Sequence, residues 1–226
     1  MTSTPPDAVT IHPLGPRRKL HSGETADGAS SVNGSVTVGK DATVTGGVST
    51  VNGSIRVDSG ARIRSASTVN GGVRLGDNVE ADNLETVNGT ITVGDSSEVD
   101  GSIEAVNGRI AVGSGSTVDS DVENVNGEIE LTGAKIGGDV STVSGDIYLI
   151  DQTTVGGDII VEKPGGWGWG KKKRTPKIVI GPGSTVEGVI NVEYEVELYI
   201  SESASVGGVE GKMSMDDAVR FSGDKP

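Results

Sequence analysis

Aliphatic residues recur along this chain in short alternating runs, not at helical spacing. In VNGSIRVDSGARIRSAST (51–68) they fall at Val51, Ile55, Val57 and Ile63, with Ala61 between the last two. In VNGRIAVGSGSTVDSDVEN (106–124) they fall at Val106, Ile110, Val112, Val118 and Val122. Pairs such as Ile110 and Val112 alternate with their neighbours, as a half-buried strand requires. Gly, Asp and Ser turns separate the runs. No stretch carries helical periodicity with caps at both ends. The pattern predicts three short strands per unit, valine and isoleucine inside, and a triangular cross-section.

The unit repeats. Val-Asn-Gly begins at Val32, Val51, Val69, Val87, Val106 and Val125, and Val-Ser-Gly at Val143, in steps of 18 or 19 residues. Fixed self-similarity at this scale marks a repeat architecture, and the period suits one turn of a narrow β-solenoid. The expected fold is all-β: a single-stranded triangular β-solenoid (parallel β-helix) of about nine coils. A single coil is too small to offset its own ordering entropy, so stability must come from stacking.

The asparagines follow from the stacking. Equivalent residues of successive coils lie ~4.8 Å apart. Asn33, Asn52, Asn70, Asn88, Asn107 and Asn126 are therefore expected to form a ladder of side-chain amides along the axis. The glycine after each asparagine is expected at a positive-φ corner. Independent Asn-Gly hairpins would give paired strands without explaining the constant period.

VSGDIYLIDQTTVGGDIIV (143–161) reads as a seventh coil, and EKPGGWGWGKKKRTPK (162–177) interrupts the series. KIVIGPGSTVEGVINVEY (177–194) and EVELYISESASVGGVEG (195–211) resume it. The organisation is thus a flexible segment over 1–28, a solenoid over 29–211 with a loop insertion at 162–177, and a tail or cap over 212–226.

Composition agrees with a valine-built β protein. Of 226 residues, 36 are Gly and only 3% are aromatic. There is no cysteine, which excludes disulfides and thiol ligands. The net charge of −13 argues against general affinity for nucleic acid. No apolar run reaches the ~18 residues of a membrane span. The first twenty residues lack the apolar core of a secretory signal. The expected location is the cytoplasm if Met1 is the native start, and the periplasm or cell envelope if an upstream signal was removed.

The TVNGxIxV unit, repeated over about residues 28–211, resembles the bactofilin-like, polymer-forming β-helix repeats of bacteria and related envelope proteins built from Val-Asn-Gly coils. The resemblance implies a right-handed β-helix, end-to-end polymerisation without nucleotide, and a role in scaffolding or envelope organisation. The interruption at 162–177 departs from the continuous core that it implies. Coil 51–68 steps by six, as in left-handed hexapeptide helices, but Ile or Val often occupies the slot reserved there for a small residue. Right-handed winding is the expectation.

Candidate chemistry is sparse. His12 and His21 both precede the repeats. A histidine base within the solenoid, a nucleophile paired with it, and a Cys/His metal site are all excluded. No calcium-loop motif occurs. Asp100, Asp119 and Asp139 are candidates for a carboxylate cluster of the polysaccharide-cleaving kind, though charged corner positions are ordinarily solvated. The column Thr50, Thr68, Thr86, Ala105, Asn124, Thr142 is too interrupted for an ice-binding array and suits packing and hydrogen bonding. No catalytic residue, metal or cofactor is assigned.

One segment stands apart. The only tryptophans, Trp167 and Trp169, lie beside Lys171, Lys172, Lys173 and Arg174. Six basic residues and one acidic give 162–177 a charge of +5, leaving −18 on the rest. These six are the candidate binding residues, for a neighbour's acidic face or for glycan or membrane. The expected function is a non-enzymatic structural scaffold that self-associates as a homo-oligomer or filament. The alternative is an envelope or surface module that presents the Trp/Lys loop to glycan or membrane.

Overall fold

A computed structural model describes residues 17–164 and 175–226. Expectations that fall on 1–16 or 165–174, including all six Trp/Lys/Arg binding candidates, lie outside the described residues. The chain winds as a parallel β-solenoid of about ten turns. One face is an eleven-stranded parallel sheet running from Arg17–Leu20 through Ile55–Val57 and Ile110–Val112 to Val219–Phe221. The other two faces merge into one sixteen-stranded sheet. They merge because strands such as Thr43–Asn52 and Arg62–Asn70 bend round the corner between them without a break. Strands such as Glu98–Val99 lie on the second face, and strands such as Ile103–Asn107 on the third.

Register follows the repeat. Ile55 pairs with Val73, Val73 with Ile91, Ile91 with Ile110 and Ile110 with Ile129 on the first face. Alternation places these residues inward, where Ile91, Ile110, Ile129, Ile147 and Leu149 are fully buried. The two remaining faces contribute Val99, Val118, Ile136, Ile103 and Val122 to the same continuous core. The insertion leaves the ladder intact: Ile147 pairs with Ile178 on the first face and Ile159 with Ile190 on the third.

Three expectations change. The first turn begins at Arg17, within the segment expected to be flexible, because Arg17–Leu20 pairs with Ser35–Val38 and Thr25–Ala26 with Thr43–Val44. That adds a turn to the nine expected. The valine of each Val-Asn-Gly does not join the core: Val32 is 57% exposed and Val51, Val69, Val87, Val106 and Val125 are 38–41% exposed. At this corner two successive residues, valine and asparagine, both face outward, so simple alternation assigns the valine to the wrong side. The glycine is also required for another reason. Gly53, Gly71 and Gly108 do not have positive φ. A Cβ on any of them would lie closer than 3.0 Å to the glycine carbonyl of the preceding coil. Close stacking excludes a side chain there.

Gly89 and Gly127 do take positive φ at this corner, 159° and 136°, but the left-handed residues cluster at another corner, between the first and second faces. Asp41, Gly60, Asn78, Ser96, Gly115, Gln152 and Gly183 take φ of 53–74° there. At the far end the tail 212–226 closes the rod. Met213, Met215 and Ala218 pack against the core, and Val219–Phe221 adds a last rung beside Glu197–Ser201.

Candidate functional site: the valine–glutamate groove

Polar side chains on the corners are largely committed to joining coils. The asparagine amides form one file: Asn52 Nδ2 donates to Asn33 Oδ1 at 2.9 Å, Asn70 to Asn52 at 3.0 Å, Asn88 to Asn70 at 3.1 Å. Asn107 donates to Asn88 and Asn126 to Asn107, both at 3.2 Å. Inside this file, Thr50, Thr68 and Thr86 are buried, and their hydroxyls donate to the carbonyls of Gly34, Gly53 and Gly71 at 2.9–3.0 Å. Asn124 Nδ2 makes the equivalent bond to Gly108 at 2.9 Å. Ala105 occupies the same column and has no hydroxyl to offer Gly89.

The aspartates considered for chemistry do not converge. Asp100 and Asp119 share a column on the second face, one residue beyond the paired Val99 and Val118. Asp139 belongs to a different column, where Asp121 Oδ1 accepts the Asp139 backbone N–H and Asp139 Oδ1 accepts that of Asp158, each at 2.8 Å. Asp158 continues the series by accepting from Val189 N–H at 2.8 Å. These carboxylates replace the strand hydrogen bonds missing at a turn. Among the described residues no group of three or more His, Cys, Asp or Glu is arranged to hold a metal ion.

A groove of about 530 Å³ runs along the third face. One ridge is the valine file Val69, Val87, Val106 and Val125, ending at the half-buried Val143. The other is an acidic file, Glu85, Glu104 and Glu123, stacked in register on successive coils and joined by Glu162. The threonine column and Ala105 form the floor. Local sequence builds both ridges. In Glu-x-Val-Asn-Gly, alternation sends the glutamate out, the next residue in and the valine out, and the corner then turns the asparagine out as well. That motif at 85–89, 104–108 and 123–127 was the available sign of the acidic file, and a reading that set the valine inside passes over it.

The acidic ridge repels itself. Partial burial, followed by the neighbouring charges of Glu104, Asp121, Glu162 and Asp139, raises the Glu123 carboxyl above the ordinary range. The groove therefore pairs an apolar ridge with a strongly negative one. Such a surface suits a ligand with apolar and cationic groups side by side.

The insertion emerges at the same corner. Its described stems lie between Ile159–Val161 and Lys177–Ile180, where other coils carry Val-Asn-Gly. Both stems are tied to the coils on either side: Glu162 N–H donates to the Thr142 carbonyl and Lys177 N–H to Asp146 Oδ1, each at 2.9 Å. Lys163 N–H donates to Glu193 Oε2 at 2.8 Å, and the Lys177 ammonium sits 4.6 Å from the centre of the Tyr199 ring. Tyr194 fills the gap where this coil's own corner is missing: its hydroxyl donates across to the Val143 carbonyl at 2.6 Å. Burial raises the pKa of this phenol despite a hydrogen bond with Ser144.

No family model, curated protein or solved structure matches the chain.

Proposed function

We propose that this chain is a non-enzymatic structural scaffold, a self-associating β-solenoid of bactofilin type. The β-solenoid fold is consistent with a structural repeat protein. The exposed file from Val32 to Val125 carries the association reading. Single exposed valines are ordinary, but six in line at the coil period make a continuous apolar seam of a kind that marks contact surfaces. The ends favour the seam over bare end-to-end stacking. Leu20, Ala26 and Ala29 in the first turn are buried, and Met213 and Met215 pack on the last. Among the described residues no strand pairs with the outer edges of Arg17–Leu20, Thr25–Ala26 or Ala29–Asn33, so strand addition there remains a second route. The commitment of Asp121, Asp139 and Asp158 to coil-joining hydrogen bonds supports a structural reading of the carboxylates.

Negative-stain microscopy of the full chain tests the proposal. Chains or bundles of rods are expected, and isolated rods at high concentration would refute it. A second reading is a module that displays 165–174 to glycan or a membrane surface. It draws on the stems of the insertion, Lys163 and Lys177, which are anchored by Glu193 and Tyr199. Co-sedimentation with anionic vesicles or peptidoglycan, without self-association, would favour that reading.

A further inference from the structure

We infer that the valine–glutamate groove of one copy receives residues 165–174 of a second copy, so that association is lateral, staggered and head-to-tail. This rests on the self-association proposed above and names the surfaces that perform it.

Chemical complementarity is the first ground. The groove sets Val87, Val106 and Val125 beside Glu85, Glu104 and Glu123 over successive coils. The segment GGWGWGKKKR carries two indoles and then four cations, with no acidic residue. Indoles cover aliphatic ridges effectively, and a file of carboxylates is relieved by facing cations. Burial and then the neighbouring carboxylates raise the Glu123 carboxyl, and facing cations would relieve the second of these.

Reach favours a second copy over the same one. The segment leaves after Pro164 and returns by Thr175 at a single corner, so its ten residues must run out and back. At ~3.3 Å per residue that spans about 16 Å, or roughly three coils. Both stems are fastened on both sides, to Thr142 and Asp146 as well as to Glu193 and Tyr199. The groove starts at Glu162 beside the stem and runs on to Thr50, farther than the roughly three coils its own segment spans. Each copy thus carries a donor segment and a stretch of acceptor groove beyond that segment's reach. An interface between unlike surfaces does not close on itself in a pair, and it propagates.

The test uses full-length chains. One variant reverses the groove, Glu104→Lys with Glu123→Lys. Another reverses the segment, Lys171→Glu with Lys173→Glu. All four positions are exposed or outside the described residues, and circular dichroism verifies that each variant folds. In sedimentation velocity at low salt, the wild type is expected to grow with concentration, and each variant alone to associate at least tenfold more weakly. In an equimolar mixture of the two, the unaltered surfaces match each other and the reversed groove matches the reversed segment, while each variant still repels its own kind. The mixture is expected to regain growth as alternating copies. A chain with all four changes is expected to regain growth. Trp167 and Trp169 are the only tryptophans, so their emission reads the segment directly, and a blue shift should accompany growth and fade with salt.

If both variants associate as well as the wild type, the groove assignment fails while self-association stands. If the wild type remains monomeric, both fail. A blue shift that is independent of concentration in a monomer would also overturn docking between copies.

Discussion

Gly108 and Gly115 belong to one coil and differ in what they require. Gly108 lies against the carbonyl of Gly89, whereas Gly115 takes φ of 71° and has only Ser96 Oγ near a prospective Cβ, at 3.5 Å. Gly108→Ala is therefore expected to cost about 3 kcal/mol or more, because backbone must move. Gly115→Ala should cost ~1–2 kcal/mol, the penalty of a left-handed residue. Urea melts of both variants compare them. Ala105 offers the reverse experiment. Ala105→Thr supplies the hydroxyl that its column otherwise gives to a glycine carbonyl, and should stabilise by ~0.5–1.5 kcal/mol. Glu123 gives a pH test. Its folded pKa is raised, so the folded state holds the proton more tightly than the unfolded chain does. Stability then falls as pH rises from the unfolded pKa through the folded one. Glu123→Gln should raise the melting temperature at neutral pH, by less than ~1 kcal/mol equivalent after solvent screening, and lose that advantage at pH 4.

Strands and corners differ in how far the sequence reveals them. Ile110 and Val112 announce a strand by alternation, and the asparagine file follows from the period alone. The outward valine does not, because alternation cannot show that two successive residues leave the sheet on the same side. The positive-φ corner was hidden too. Asp41, Gly60, Asn78, Ser96 and Gln152 share a backbone state without sharing a residue type. Arg17–Leu20 escaped because it has the hydrogen-bonding register of a rung without the aliphatic signature. The groove was half legible: its glutamates stand in a visible motif, but a surface exists only once the valines are known to face out. The insertion makes an element-level prediction. Strand register is unbroken across it, from Ile147–Ile178 to Ile159–Ile190. Replacing 163–176 with a short Asn-Gly turn should leave the β circular dichroism signal unchanged and keep the melting temperature equal or higher, since a shorter loop costs less entropy to close.

The whole molecule is a rod whose coils stabilise one another and whose long seam is apolar on one ridge and acidic on the next. Nearest-neighbour stacking means that damage in one coil weakens the rungs on both sides of it. The −13 net charge keeps rods apart unless a cationic surface intervenes, so association should weaken as salt rises. Among the described residues four surface ion pairs, Arg62–Glu80, Arg64–Asp82, Arg109–Glu128 and Arg109–Glu130, tie neighbouring coils and contribute little each. The seam is the feature on which the functional account turns. Sedimentation velocity of the full chain beside Val87→Ser with Val106→Ser measures it most directly, because these exposed positions can lose their apolar surface without opening the core. The account predicts concentration-dependent assemblies for the wild type and a folded monomer for the variant. Equal assembly by both, or a monomeric wild type at every concentration, would contradict it.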